Sequence, residues 1–159
     1  INAFRTRLHL DTGDTERADS WFRSSRLHIL SEINRINEFE LIVYARVLMA
    51  RNQTDNAELL LLRLLSYTET EARLHSQVEI LNLLAMLAYK KGDLSAAARH
   101  MEKSLATGLK EGFVRSYVDE FEPLINVLKI TASRLRKDSV CGSEADLIPY
   151  AKDLIRQSY

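Results

Sequence analysis

At 159 residues the chain is one domain's worth of polypeptide, or one stretch of a repeat array. Lysine plus arginine equals aspartate plus glutamate at 22 each, so the basic footprint of a module that grips nucleic acid or an anionic membrane by itself is missing. The single cysteine, Cys141, permits no internal disulfide and suits a reducing cytoplasm, and no apolar run approaches the ~20 residues of a membrane span.

The chain starts at Ile1 rather than Met and no secretory signal opens it, as expected of a piece of a longer protein. Apolar residues then recur at three and four, with little Gly or Pro to interrupt them, and no segment alternates at period two. "RLHLDTGDTERADSWF" reads as two helices about Gly13, and "ELIVYARVLMARNQTDNAELLLLRLLS" as two more about Asn52. Leu59 to Leu62 with Leu64 and Leu65 supply more leucine than one helix face needs, so that helix is expected between neighbours. "LHSQVEILNLLAMLAYKK" carries Leu74, Val78, Leu81, Ala85 and Ala88 on one stripe, widened by Leu84, Leu87 and Tyr89. In "EGFVRSYVDE", residues 111–120, Phe113, Val114 and Val118 are expected to face inward, with Arg115 and Asp119 paired one turn apart. That segment is read as the first helix of a closing pair, and a ligand contact from Arg115 or Tyr117 is the alternative. "PLINVLKITASRLRK" starts with Pro123 in a first turn and places Leu124, Val127, Leu128, Thr131 and Leu135 on a face. "SEADLIPYAKDLIRQ" starts with a capping-box-like Ser143 and Asp146. The expected class is all-α.

Three turns repeat. "GDTERA", "NQTDNA" and "GDLSAA" each place an alanine five residues after Gly13, Asn52 or Gly92, and Ala18, Ala57 and Ala97 are 39 and 40 residues apart. Phe22, Leu61 and Met101 follow four places later. Gly or Asn accepts the left-handed conformation that stops one helix, and Asp14, Thr54 or Asp93 is expected to cap the next. The small alanine admits a close helix crossing. Such pairs cannot bury their faces alone, so they stack into a tetratricopeptide-like right-handed superhelix, with the repeat stretched from ~34 residues to near 40. The expected division is a repeat domain over 1–137, with pairs at about 1–26, 38–66, 70–108 and 111–137, followed by a connector and C-terminal helix at 138–159.

Glu40, Ala45, Arg46, Val47, Leu48 and Ala50, followed by Gly112, Phe113, Arg115, Tyr117, Asp119 and Glu120, form a pattern E-x-x-x-x-A-R-V-L-x-A … G-[FY]-x-R-x-[FY]-x-D-E. This pattern resembles the central region of the large MalT-type, LuxR-family ATP-dependent transcriptional activators, over roughly Arg7 to Lys137. The resemblance implies a cytoplasmic regulator in which such a helical sensor lies between a nucleotide-binding switch and a helix-turn-helix. Neither flanking part is legible here: no glycine starts a G-x-x-x-x-G-K-[ST] loop, and no DNA-reading helix pair closes the chain. ATP is therefore implied only for the parent protein, with no cofactor in this stretch, and DNA likewise.

Catalytic chemistry has little to work with. His9, His28, His75 and His100 are dispersed without metal-ligand spacing and read as surface or boundary groups. Cys141 and Ser143 lack a credible base, and Glu69/Glu71 and Asp119/Glu120 read as a solvated helix start and helix end. Trp21 with Phe22 reads either as an aromatic ligand shelf or, at its spacing from Ala18, as core. An enzyme is not expected.

The first helices of successive pairs should line a concave face in rows: Arg7, Arg46 and Met86; Ala3, Ile42 and Asn82; Leu10, Met49 and Tyr89. Arg7, Arg46, Asn82, Met86, Tyr89 and Arg115 are the expected ligand-binding residues. Apolar walls with a few fixed donors suit a small-molecule inducer, and the arginines suit a carboxylate, phosphate or sugar hydroxyls. Three functions are open: a sensor of such an inducer, an adaptor that binds a protein or another copy of itself, and a structural spacer. The resemblance favours the sensor, with the other domains of the same regulator as its partners.

Overall fold

A computed structural model describes residues 2–138 and 146–157, with the backbone alone at 121–123, 137 and 138. Every described element is an α-helix. Contacts divide the chain into two compact units, Ile1–Glu71 and Ala72–Tyr159. This line differs from the division at residue 137 expected from sequence.

In the first unit, α1 (Asn2–Asp11) packs on α2 (Thr15–Ser24), both pack on α3 (Glu38–Ala50), and α3 packs on α4 (Thr54–Thr70). Ala18, Ile42, Ala45, Ala57, Leu60 and Leu61 are buried in its interior. Leu59 and Leu62 are nearly half exposed, so the leucine surplus of α4 is not wholly enclosed as expected. Between α2 and α3 the chain is held by the Arg63 guanidinium, which donates to the carbonyls of Ile29 and, at 3.0 Å, Ser31. The Asn34 carboxamide accepts from the amides of Ile36 and Asn37, closing the turn that leads into α3.

In the second unit, α5 (Leu74–Lys90) packs on α6 (Leu94–Glu111), α7 (Arg115–Val118) and α8 (Phe121–Asp138). The last helix, α9 (Leu147–Gln157), packs on α6, α7 and α8 and so belongs to this core. Leu124, Val127, Leu128, Thr131 and Leu135 are all buried, the face expected of α8. Leu74 is the exposed end of the α5 stripe. The Ser143 cap and Cys141 lie outside the described residues.

The three turns superimpose as chemistry. Gly13, Asn52 and Gly92 have φ of +77°, +61° and +83°, and each donates its amide three residues back, to Leu10, Met49 and Tyr89. The next amide donates five back, to His9, Leu48 and Ala88, the Schellman arrangement that satisfies a helix's last carbonyls. Asp14 accepts from the Arg17 amide and Asp93 from the Ala96 amide. The turn at Asn52 departs from the expected capping. Gln53, not Thr54, stands at the equivalent position and makes no side-chain cap, while Thr54 is already helical. Two further left-handed residues, Ala72 and Gly112, fill out the pattern, so that positive φ recurs at 52, 72, 92 and 112.

Candidate functional site

Residues 111–120 do not form the full helix expected of a closing pair. Gly112 ends α6 at φ +69°, and only Arg115–Val118 are helical beyond it. The inward anchor of this segment is Tyr117, 1% exposed, with Phe113 and Val114 only partly buried against the same core. Tyr117 Oη donates to the Ser104 carbonyl at 2.7 Å. The Ser104 hydroxyl lies 2.7 Å from Asn82 Oδ1 and 3.0 Å from Tyr117 Oη; its one proton serves one acceptor at a time. Asn82 Nδ2 in turn donates to the Ser116 carbonyl at 2.8 Å. A buried polar chain thus ties α5, α6 and α7 together. Its members satisfy one another where water is excluded.

Asn82 is therefore core, not the solvent-facing ligand donor expected of it: it is fully buried and both ends of its amide are engaged. Tyr117 is core too, for the same reason. Arg115 is exposed and meets Asp119 at 3.5 Å, the pairing expected one turn apart. Glu120, read as a solvated helix end, is buried at 8% exposure, and Glu69 and Glu71 stand at the end of α4, not at a start.

Room for Tyr117 comes from Gly108, in the last turns of α6. A Cβ there would stand 2.2 Å from Tyr117 Oη and 2.9 Å from two ring carbons. Tyr150 of α9 meets the Tyr117 ring edge-on at 6.0 Å and donates its hydroxyl to the Phe113 carbonyl. Burial raises both phenols, that of Tyr150 up to about 12. A phenol harder to ionise folded than unfolded contributes stability below the unfolded value near 10, and that stability is lost as pH rises through the folded value. Chemical denaturation is expected to give flat stability up to about pH 10 and a fall between about 10 and 12. Replacing Tyr150 with Phe should lessen that fall and leave the part due to Tyr117.

The remaining site residues separate by unit. Arg7 of α1 and Arg46 of α3 hold the same register on two packed helices, and both are half-buried. In the second unit, Met86 and Tyr89 are partly buried against the α5–α6–α8 core. Trp21 is half-buried, whereas Phe22 stacks on Tyr44 at 4.5 Å under the Arg51 guanidinium, which also meets Asp19 at 3.1 Å.

One cavity escaped the sequence reading. An open groove between α1 and α2 is lined by Asn2, Arg5 and His9 on one side and Arg17, Ser20 and Trp21 on the other. Trp21 was its one visible signal. Among the described residues no group of three or more acidic, histidine or cysteine side chains is placed to hold a metal ion. No described helix is long and apolar enough to cross a membrane.

No curated protein and no solved structure is matched by the chain. A protein family is: residues 1–134 match the MalT-like TPR region, the same stretch in which the three superimposable turns and the helix pairs occur. With most of its length covered by that match and an all-helical paired architecture beneath it, the chain belongs to the MalT-like TPR region family.

Proposed function

We propose that this chain is the sensing region of a cytoplasmic LuxR-family transcriptional regulator. In this reading an inducer held on the first-helix rows, or self-association through them, controls a flanking ATP-dependent switch and DNA-binding domain. The observation that carries it is the family match over residues 1–134. Arg7 and Arg46 support it, because they hold equivalent positions on the packed helices α1 and α3, and a guanidinium fork suits a carboxylate or phosphate. Met86 of α5 holds the equivalent register in the second unit, partly buried with Tyr89 against that unit's own core. The chain's own role is binding, without catalysis or cofactor. Leu59 and Leu62, nearly half exposed on α4, favour the second reading, an adaptor that takes a protein surface.

Calorimetric titration with candidate metabolites separates the two. For a metabolite that binds, Arg46→Ala is expected to weaken affinity about tenfold or more. The melting temperature should move by no more than about 2–4 °C. An unchanged affinity, or a domain melted by the substitution, removes the arginine row as the binding site.

A further inference from the structure

A helix of one turn does not hold its own shape. Fixing its backbone costs as much as starting a long helix and returns few hydrogen bonds, and α7 is such a helix. The Val114 carbonyl accepts from the amides of Tyr117 and Val118. Two further carbonyls of the segment are taken by side chains of other helices. That of Ser116 accepts from Asn82 Nδ2 of α5 at 2.8 Å, and that of Phe113 accepts from the Tyr150 hydroxyl of α9. A ring backs each of these bonds. His75 of α5 stands edge-on to Phe113 at 5.5 Å, with its Nε2 3.4 Å from Ser116 Oγ. Tyr150 stands edge-on to Tyr117 at 6.0 Å. Among the described residues α5 and α9 do not pack on each other, and α7 is held from both. The helices α6 and α8 also touch both, but each is 18 residues long and carries its own ladder of hydrogen bonds.

We propose that α7 is a conformational relay that couples the docking of α9 to α5. The helix suited to lift is α9, which buries Leu147, Ala151 and Leu154, whereas α6 buries six residues along its length. Elements with fewer buried contacts open at lower free energy. When α9 lifts, Tyr150 leaves both the Phe113 carbonyl and the Tyr117 ring. The turn then loses one of the two holds that impose it. The Ser116 carbonyl that engages Asn82 and the Tyr117 phenol that engages Ser104 lie on that same turn, so both are released with it. Such a turn is either formed or lost, and a two-state element biased from both sides is what energetic coupling requires. Whatever draws α9 from its seat thereby reaches the helix that carries Met86 and Tyr89. The coupling belongs to the second unit alone and needs no inducer, so it stands whether or not the arginine row binds one.

Native-state hydrogen exchange, resolved amide by amide on the whole chain, tests the relay. The amides of Tyr117, Val118 and α9 are expected to share one protection factor, lower than that of the α6 interior. His75 is exposed and touches α7, so its replacement spares the core. His75→Ala is expected to speed exchange at Tyr117 and Val118 about twofold to tenfold, and to speed α9 by the same factor. In a Tyr150→Phe background the same substitution is expected to move α7 more than α9, because the hydroxyl that joins them is gone. Protection of α9 equal to that of α6 would mean that α9 opens only with the whole unit, and overturns the proposal. So does a His75→Ala effect confined to α7, or one that reaches α9 undiminished in the Tyr150→Phe background.

Discussion

Gly108→Ala destabilises the second unit, although helix propensity alone points the other way. Alanine inside a helix is worth about 1 kcal/mol over glycine. Against that stands a methyl 2.2 Å from Tyr117 Oη, in a place where the ring is almost wholly buried and its hydroxyl is tied to the Ser104 carbonyl. Overpacking of this kind costs about 1–3 kcal/mol, so the clash outweighs the propensity gain. Urea denaturation measures the loss. In a double-mutant cycle, Gly108→Ala should cost less in a Tyr117→Phe background than in the parent, since the closest atom is then gone while two ring carbons remain at 2.9 Å. A Gly108→Ala chain more stable than the parent would mean that Tyr117 does not lie against α6.

Ala57→Leu and Ala97→Leu are the other large effects. Both alanines are completely buried five residues after a left-handed turn, and each belongs to the second helix of its pair. Leucine at either position forces the paired helices apart or its own side chain off rotamer, at about 1–3 kcal/mol. Each kcal/mol corresponds to about 2–4 °C in melting temperature for a chain of this size. Unchanged melting for both variants would remove the repeat register itself.

The repeat was legible because its determinants are local. A Gly or Asn that tolerates positive φ, a carboxylate behind it and an alanine five places on all act within two helical turns. Asp14 and Asp93 cap as read, and Ala18, Ala57 and Ala97 are buried as read. Ala72 carried no signal, since alanine rarely adopts the left-handed conformation it holds here. The cap at Gln53 was missed because Thr54 is the better capping residue by type and stands one position too late.

The site was less legible, because burial of a polar residue is decided by partners far along the chain. Asn82 looks like a donor on a concave face until Ser104 and the Ser116 carbonyl, 22 and 34 residues away, are brought to it. Tyr117 lies in a string of charged neighbours that reads as a reactive surface. The clue to its true place was Gly108, a costly residue to carry inside a helix unless something large must lie against it. The α1–α2 groove left only Trp21 as a signal, because its other residues are ordinary surface types.

The left-handed residues at 52, 72, 92 and 112 give this chain a fixed metre of twenty residues, one helix and its turn to each beat. Each residue of an α-helix advances the side-chain direction by about 100°. Loss or gain of a single codon inside α4, α5 or α6 therefore swings the rest of that helix by more than a quarter-turn against its own turn. Loss or gain of two beats, a whole pair, preserves the facing of every helix after it, whereas one beat exchanges first and second helices. Length variation among descendants of such a gene should come in steps of two beats, with single-residue changes confined to the stretch between α2 and α3, where no such beat is kept.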